Sequence, residues 1–451
     1  MEIQNHKRKK TRANLSPPFS SRPPTRTIIN QYFTSDIVCH ILSYLDQFDL
    51  VRSSIVCKSW HDTIHSSHLL TLAYWKHKVD ALGLSSVVGT VSESTVNKYL
   101  EEIAMKQHKL CLQNESVVVN QWNGCHSVGI DQFRMKMGLV LTGLEDKVMR
   151  IWSLDSFKCL EEYSLPKLEL ADFDFDESKI VGLVGTRICI WRRHSGKRSM
   201  SQEHAGITRG FCMRYIDPEA VVGCGDGTAR VFDMYSRNCS RIIKMHNGPI
   251  TCMALTDDQL VVSGSSLGSI RVADLSSDQV AGTLRSAGPA GTKSLCYNPG
   301  SYSVFAGSTS GHAYCWDLRT MKPLWEKKIS PNVIYSIQHL RNDTSSLVVG
   351  GIDGVLRILN QGTGEITSSY VMDKKGMFMG RASSSSSSSS SNNNRGAFIE
   401  KMVARKLSGD VTTDIDRIPK DLRPPVTCLA VGMKKVVTTH NNKFIRLWRF
   451  Q

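Results

Sequence analysis

Residues 226–232 read Asp-Gly-Thr-Ala-Arg-Val-Phe, a turn signal followed by a short apolar run that ends on an aromatic side chain. Segments of the same form recur at 146–152 (DKVMRIW), 185–191 (GTRICIW), 267–273 (LGSIRVA), 310–316 (SGHAYCW), 353–359 (DGVLRIL) and 442–448 (NKFIRLW). Their last residues are Trp152, Trp191, Phe232, Ala273, Trp316, Leu359 and Trp448, spaced 39 to 43 residues apart until the final interval of 89. A fixed period of this size marks an array of small β units, each too small to bury its apolar faces alone. The final interval is one period plus roughly 46 inserted residues. Residues 383–391 are nine consecutive serines, followed by three asparagines. Such a tract cannot pack, so a flexible excursion is expected at about 372–424, between the sixth and seventh units.

The chain has 451 residues and a formal charge of +15, from 56 Lys and Arg against 41 Asp and Glu. That excess raises a nucleic-acid reading, so its location matters. Residues 1–27 hold seven basic residues against Glu2, and 372–424 holds ten against six acids. Ten of the fifteen net charges therefore belong to a tail and an insertion, not to a fold-wide basic surface. Aromatic residues interleaved with basic ones, the pattern of a base-stacking platform, are also missing. Residues 1–27 are polar and Pro-rich and are expected to be disordered. Within them, Lys7-Arg8-Lys9-Lys10 reads equally as a nuclear localisation run or as a solvated tail.

The 13 cysteines are an odd number with no CxxC spacing, which argues against a disulfide framework and a thiolate zinc site. There is no signal-peptide h-region and no apolar stretch of membrane-spanning length. An intracellular protein of the nucleus, the cytoplasm or both is expected. No pattern in the chain calls for a cofactor or a metal.

Residues 28–80 switch to helical spacing. Ile37, Val38, Ile41, Leu42 and Leu45 recur on helical faces, with Ser35 as the expected N-cap, and a second run holds Leu50, Ile55, Val56 and Trp60. Residues 93–108 predict a further helix within a linker at 81–115, with Val96, Tyr99, Leu100 and Ile103 on one face. From 116 to 451 the pattern is β. The β-run Ser116-Val-Val-Val-Asn-Gln-Trp122 has no partner in its own neighbourhood, while the seventh unit ends at Phe450 without an outer strand. Pairing the two would close the array into a ring and protect both edges.

The repeats resemble WD repeats, which implies a seven-bladed β-propeller. Asp146, Asp226 and Asp353 stand where that family has its turn aspartate. Trp316-Asp317 and Phe232-Asp233 stand for its terminal dipeptide, and His204 and His246 for its histidine. The N-terminal helices, from Phe33-Thr-Ser-Asp-Ile-Val through Leu45, Asp49-Leu50 and Val56-Cys-Lys-Ser-Trp60, resemble an F-box, with Thr34 where that family commonly has Pro. The expected architecture is thus a small α-helical F-box followed by an all-β seven-bladed propeller.

The combination resembles the WD-repeat class of F-box proteins, the substrate receptors of SCF ubiquitin ligases. This implies a non-enzymatic role: an Skp-type adaptor, and through it a cullin, on the F-box, and a protein substrate on the propeller. Phe33, Ile37, Ile41, Leu42, Leu45, Leu50, Val56 and Trp60 are the adaptor-side candidates, shared with the F-box's own core. Family geometry and the repeat frame, counted from the histidines, place a substrate face at Asp131, Arg209, Thr251, Lys293, Tyr335 and Thr427. With two cations in that set, phosphopeptide reading is the less favoured mode. A scaffold propeller without ligase role, or a nucleic-acid-binding propeller, are the rival readings.

Three local motifs have structural explanations. Gly264-Ser-Ser-Leu-Gly268 matches a nucleophile elbow, but it fills a strand–strand turn where the elbow needs a helix. Gly223-Cys-Gly-Asp-Gly227 leads into a strand, which makes it a hairpin turn and not a phosphate cradle. His61, His65 and His68 share a helix face without an evident fourth ligand.

Overall fold

Each repeat quoted above supplies the third strand of an antiparallel sheet in the computed structural model. The structure describes residues 34–451 except 83–92, 115–116, 127–128, 131, 144–147, 167, 195–197, 201–208, 278, 287, 379–398, 408–417 and 421–422. Residues 1–104 and 105–451 form two separate units. The expected tail at 1–27, Phe33, Asp131, Asp146, His204 and the serine tract lie outside the described residues.

The first unit contains α1 (Ser35–Leu42), α2 (Gln47–Ser54), α3 (Lys58–Ser66), α4 (Leu69–Leu82) and the start of α5 (Glu93–Cys111). The N-cap of α1 is Thr34, one residue before the expected Ser35, and its side chain makes no cap hydrogen bond. Asp46 caps α2 fully, accepting from the Phe48 and Asp49 amides at 2.8 Å each. Val38, Leu42, Leu50, Ile64 and Leu69 form the buried core.

In the second unit, five sheets are four-stranded and span 133–164, 170–200, 210–244, 250–285 and 292–328. These are blades one to five. Blade six begins with Ile334–Gln338, and blade seven with Cys428–Gly432. The innermost strands neighbour one another in sequence order, and that of blade seven lies against that of blade one. The ring is closed. Strand Val117–Asn123 is the outer strand of blade seven, in the register Val117↔Phe450 to Asn123↔Phe444.

The inserted span departs from expectation. The fourth strand of blade six, Ile366–Phe378, runs into it, and Ile399–Lys406 forms a further strand inside it. That strand pairs with blade six on one side and with Val117–Asn123 on the other, fusing blades six and seven into one nine-stranded sheet. The cause is alternation: Met402 and Ala404 enter the apolar cluster of Val117, Val119, Tyr370 and Trp448, while Lys401, Val403 and Arg405 are exposed.

The third strands of blades one, three and four share one burial pattern, with an arginine at the same place: Arg150, Arg230 and Arg271. Arg357 and Arg446 occupy that place in blades six and seven. Several bond within their own blade. Arg150 donates to Glu162 at 2.9 Å, Arg230 to the turn Asp226 at 3.2 Å, and Arg446 to Gln121 at 2.7 Å. Asp226 also accepts from the Thr228 amide at 2.9 Å, and buried Asp353 takes both terminal nitrogens of Arg357. Part of the chain's positive charge is therefore internal scaffolding.

Buried histidines stitch the blades. In blade seven the Trp448 indole donates to Thr438 at 2.8 Å, whose hydroxyl lies 2.9 Å from His440 Nε2. In blade one Trp152 and His126 meet on Thr142 in the same way, at 3.1 and 2.9 Å. His246 sits between Ser269 and Ser263 at 3.0 and 2.9 Å. Burial pushes the His246 pKa down to about 4, with Arg271 adding to the shift and the Ser263 carbonyl opposing it. The unfolded chain, titrating near 6.5, therefore takes the proton first. His246 leaves stability intact above that value and removes it as pH falls from about 6.5 toward 4. Unfolding free energies from urea titrations between pH 7 and 4.5 should fall less steeply in His246→Gln, by about 1.4 kcal/mol per pH unit below about pH 6.

Candidate docking surfaces on the helical unit and at the propeller mouth

The helical unit carries two apolar faces. Val38 and Leu42 point inward with Leu50, and Leu45 and Trp60 pack half-buried against them. Leu42 and Leu50 are 2% and 1% exposed, which removes them from the adaptor-side set: they are core. Ile37, Ile41 and Val56 are 44%, 53% and 66% exposed. Tyr44 and Ile55, absent from the expected set, are also strongly exposed. The i, i+4 pair Ile37/Ile41 and the neighbouring pair Val38/Leu42 both obey helical spacing, so only packing tells them apart.

On the propeller, every innermost strand of blades two to six slips register at its start. Such a bulge leaves one residue unpaired. Those residues are Ala171, Phe211, Thr251, Lys293 and Tyr335, with Gln132 and Thr427 just ahead of the corresponding strands of blades one and seven. All but Ala171 line a central cavity of about 620 Å³. Thr251, Lys293, Tyr335 and Thr427 are thus brought together as the repeat frame placed them. Arg209 is not the equivalent residue of blade three. Phe211 is, and Arg209 stands two residues earlier with its guanidinium 5.1 Å over the Phe211 ring. The histidine-based frame slipped by two because blade three enters its strand after a different length of link.

A better frame was present in the sequence. Each bulge residue of blades three to six, and Thr427 in blade seven, precedes a Cys or Ser and then an aliphatic residue: Cys212-Met213, Cys252-Met253, Ser294-Leu295, Ser336-Ile337 and Cys428-Leu429. The small residue reaches the next blade's backbone. Cys212 donates to the Ile250 carbonyl at 3.9 Å, Cys252 to Thr292 at 3.9 Å, Ser294 to Ile334 at 3.3 Å and Cys428 to Phe133 at 3.7 Å. Ser336 Oγ accepts from the Leu429 amide at 3.1 Å. Short side chains hold this place in blades three to seven, while blades one and two have Phe133 and Asp172 there. Burial pushes the Cys252 thiol up to about 11, opposed by a hydrogen bond from Thr251 and by the charges of Arg214 and Lys293, which keeps it an inert protonated staple.

Between blades one, two and three the link is ionic. Buried Asp172 accepts from Arg134 at 2.6 Å, from the Met213 amide at 2.8 Å and from Arg214 at 3.3 Å. Asp174 meets Lys136 at 2.7 Å. The carboxylates of the channel wall are thus satisfied from within.

The motifs set aside on sequence are structural. Ser265 ends a strand and bonds Ser269 at 2.9 Å, and Gly227 turns a hairpin with φ of 78°. His61 and His65 stack with ring centres 4.2 Å apart. Among the described residues no three His, Cys, Asp or Glu side chains are grouped to hold a metal ion, and no helix is long and apolar enough to cross a membrane.

Comparison with known proteins identifies both units. The F-box domain family matches residues 33–72, and the WD domain, G-beta repeat family matches residues 237–274. The chain is 48% identical over 441 residues to an F-box/WD-40 repeat-containing protein of Arabidopsis thaliana, covering 92% of this chain and 93% of that relative. It is 24% identical over 134 residues to Mitochondrial division protein 1 of Chaetomium globosum, covering 29% of this chain and 18% of that protein. The computationally designed Ika8 protein shares the fold, with a TM-score of 0.52 at 17% identity over 72% of this chain and 97% of that one. Proteins that join an F-box to WD-40 repeats are typically non-catalytic adaptors of the substrate-receptor kind. With its F-box helices, its closed ring of WD blades and a relative nearly half identical over almost its whole length, the chain belongs to the F-box/WD-40 repeat proteins.

Proposed function

We propose that this protein is the substrate-recognition subunit of an SCF-type ubiquitin ligase, with no catalytic residues of its own. The F-box takes an Skp-type adaptor and through it a cullin, the propeller takes a protein substrate, and the complex works in the nucleus, the cytoplasm or both. The observation that carries this reading is the exposed apolar set Ile37, Ile41, Tyr44, Ile55 and Val56 on the small helical unit. A patch of that kind on a small domain is an interaction surface in need of a partner. The propeller mouth supplies the second surface. Chemistry then belongs to other subunits, and this chain acts by raising the effective concentration of the substrate lysine near the charged ubiquitin carrier.

The test is co-purification of the full chain with an Skp-type adaptor. Ile41→Asp and Val56→Asp each place a charge on the exposed face and should lower adaptor capture at least about tenfold with the melting temperature unchanged. Leu42→Ala should do the reverse, destabilising the helical unit by about 2–5 kcal/mol through a core cavity. Undiminished capture by both aspartate variants, or no capture by the wild-type chain, would sink the proposal.

A further inference from the structure

We infer that the propeller mouth selects an acidic, unphosphorylated segment that carries an apolar side chain, an inference that rests on the substrate-receptor reading. The repeat frame puts one residue of every blade but the second into the lining of the mouth. Among the described ring residues Lys293 is the ionisable group of full charge, and none is a carboxylate. Two hydroxyls of the ring are turned inward. Thr251 donates to the Thr292 and Gly264 carbonyls, and Thr427 meets Thr439 at 3.3 Å. What remains for a guest is Gln132, Phe211, Lys293 and Tyr335, on blades one, three, five and six.

Arg209 extends that set. It is exposed and stacks over Phe211, which is itself 36% exposed, so a cation and an apolar ring are presented together. Deeper in the channel Asp172 and Asp174 are held by Arg134, Arg214 and Lys136, so their charge is compensated before a carboxylate enters. A cavity of about 620 Å³ admits side chains, not a folded element. The cation chemistry separates carboxylate from phosphate. A phosphate dianion is best read by paired arginine forks. Here one cation is a lysine and the other is already stacked on a ring, which suits single carboxylates spread along a strand around an apolar anchor.

The probe is a fluorescein-labelled peptide alternating glutamate and leucine, beside its glutamine counterpart and one with phosphoserine in place of glutamate. Anisotropy is measured on the purified full chain at low salt. The glutamate peptide should bind at least about tenfold tighter than the glutamine peptide. Lys293→Glu and Arg209→Glu should each weaken it about fivefold or more. Arg341→Glu, at the opposite mouth and 81% exposed, should change nothing, and all three variants should melt with the wild type. Equal binding of the glutamate and glutamine peptides, or indifference to both reversals, overturns the inference. So does a phosphoserine peptide bound more than about tenfold tighter than the glutamate one. Because no adaptor is present, the two proposals fail separately. Lost peptide selectivity with intact adaptor capture removes this inference alone, and lost adaptor capture removes the receptor reading while the peptide result stands.

Discussion

Val119→Asp should leave no folded propeller. Val119 is fully buried on the strand that completes blade seven, paired with Trp448 on one side and Met402 on the other. The substitution loses about 1.5–3 kcal/mol of apolar burial and adds several kcal/mol for a carboxyl group without a polar partner. Against a total stability of about 5–15 kcal/mol this approaches the whole. It also strikes where the ring joins, so the blade cannot be repaired by its own hairpins. The expected result is insoluble or aggregated protein, or soluble chain with no cooperative melt by circular dichroism. Val403→Asp, at a 45% exposed position on the adjoining strand, should fold and melt within a few degrees of the wild type. A cooperative melt near wild type for Val119→Asp would mean that the closing strand is dispensable.

Gly311→Ala should cost more than about 3 kcal/mol, where Gly138→Ala costs about 1 kcal/mol. Both glycines turn the chain with positive φ, 84° and 73°. An added Cβ pays the same left-handed penalty at each, on the order of 1–2 kcal/mol. The difference is space. At Gly311 the new Cβ would lie 2.1 Å from the Ser330 carbonyl oxygen and 2.6 Å from that of Asn332, while at Gly138 nothing lies within 4 Å. The Ser330 segment cannot retreat, because the Ile329 and Ser330 amides both donate to the Gly311 carbonyl, at 2.9 and 3.1 Å. Urea midpoints of the two variants, measured side by side, check the ordering. Equal losses would show that backbone conformation alone, without the contact, sets the cost.

The ring was legible because its signal repeats. Trp152, Trp191, Phe232, Ala273, Trp316 and Leu359 recur near the ends of third strands at 39 to 43 residues, and no single residue has to be read correctly for the count to hold. The strand Ile399–Lys406 was hidden by the same alternation that makes it a strand. Half of it faces solvent, and Lys401, Arg405 and Lys406 lend it the composition of a loop. On the helical unit, apolar residues line both sides of α1, and which side is core depends on α2 and α3, which are distant in the pattern. At the mouth, Thr251, Lys293 and Tyr335 came from the geometry that the WD resemblance implies, applied to the repeat frame. Blade three was misread because a link two residues longer or shorter shifts the frame but not the fold. The pairs Cys212-Met213 through Cys428-Leu429 carry that frame directly, since the small residue of each bonds the neighbouring blade's backbone.

The pairing of Val117 with Phe450 has a further consequence during synthesis. On the ribosome the strand Val117–Asn123 emerges before six blades and waits, unsatisfied, until the final hairpin of blade seven is released. Its run Val117-Val-Val is the kind of open apolar edge that recruits other nascent chains. Ile399–Lys406 is made well before Phe444–Phe450 and borders the same strand, from Val117↔Ala404 to Trp122↔Ile399. The inserted strand can therefore chaperone the N-terminal one, sheltering half of its edge through the last interval of translation.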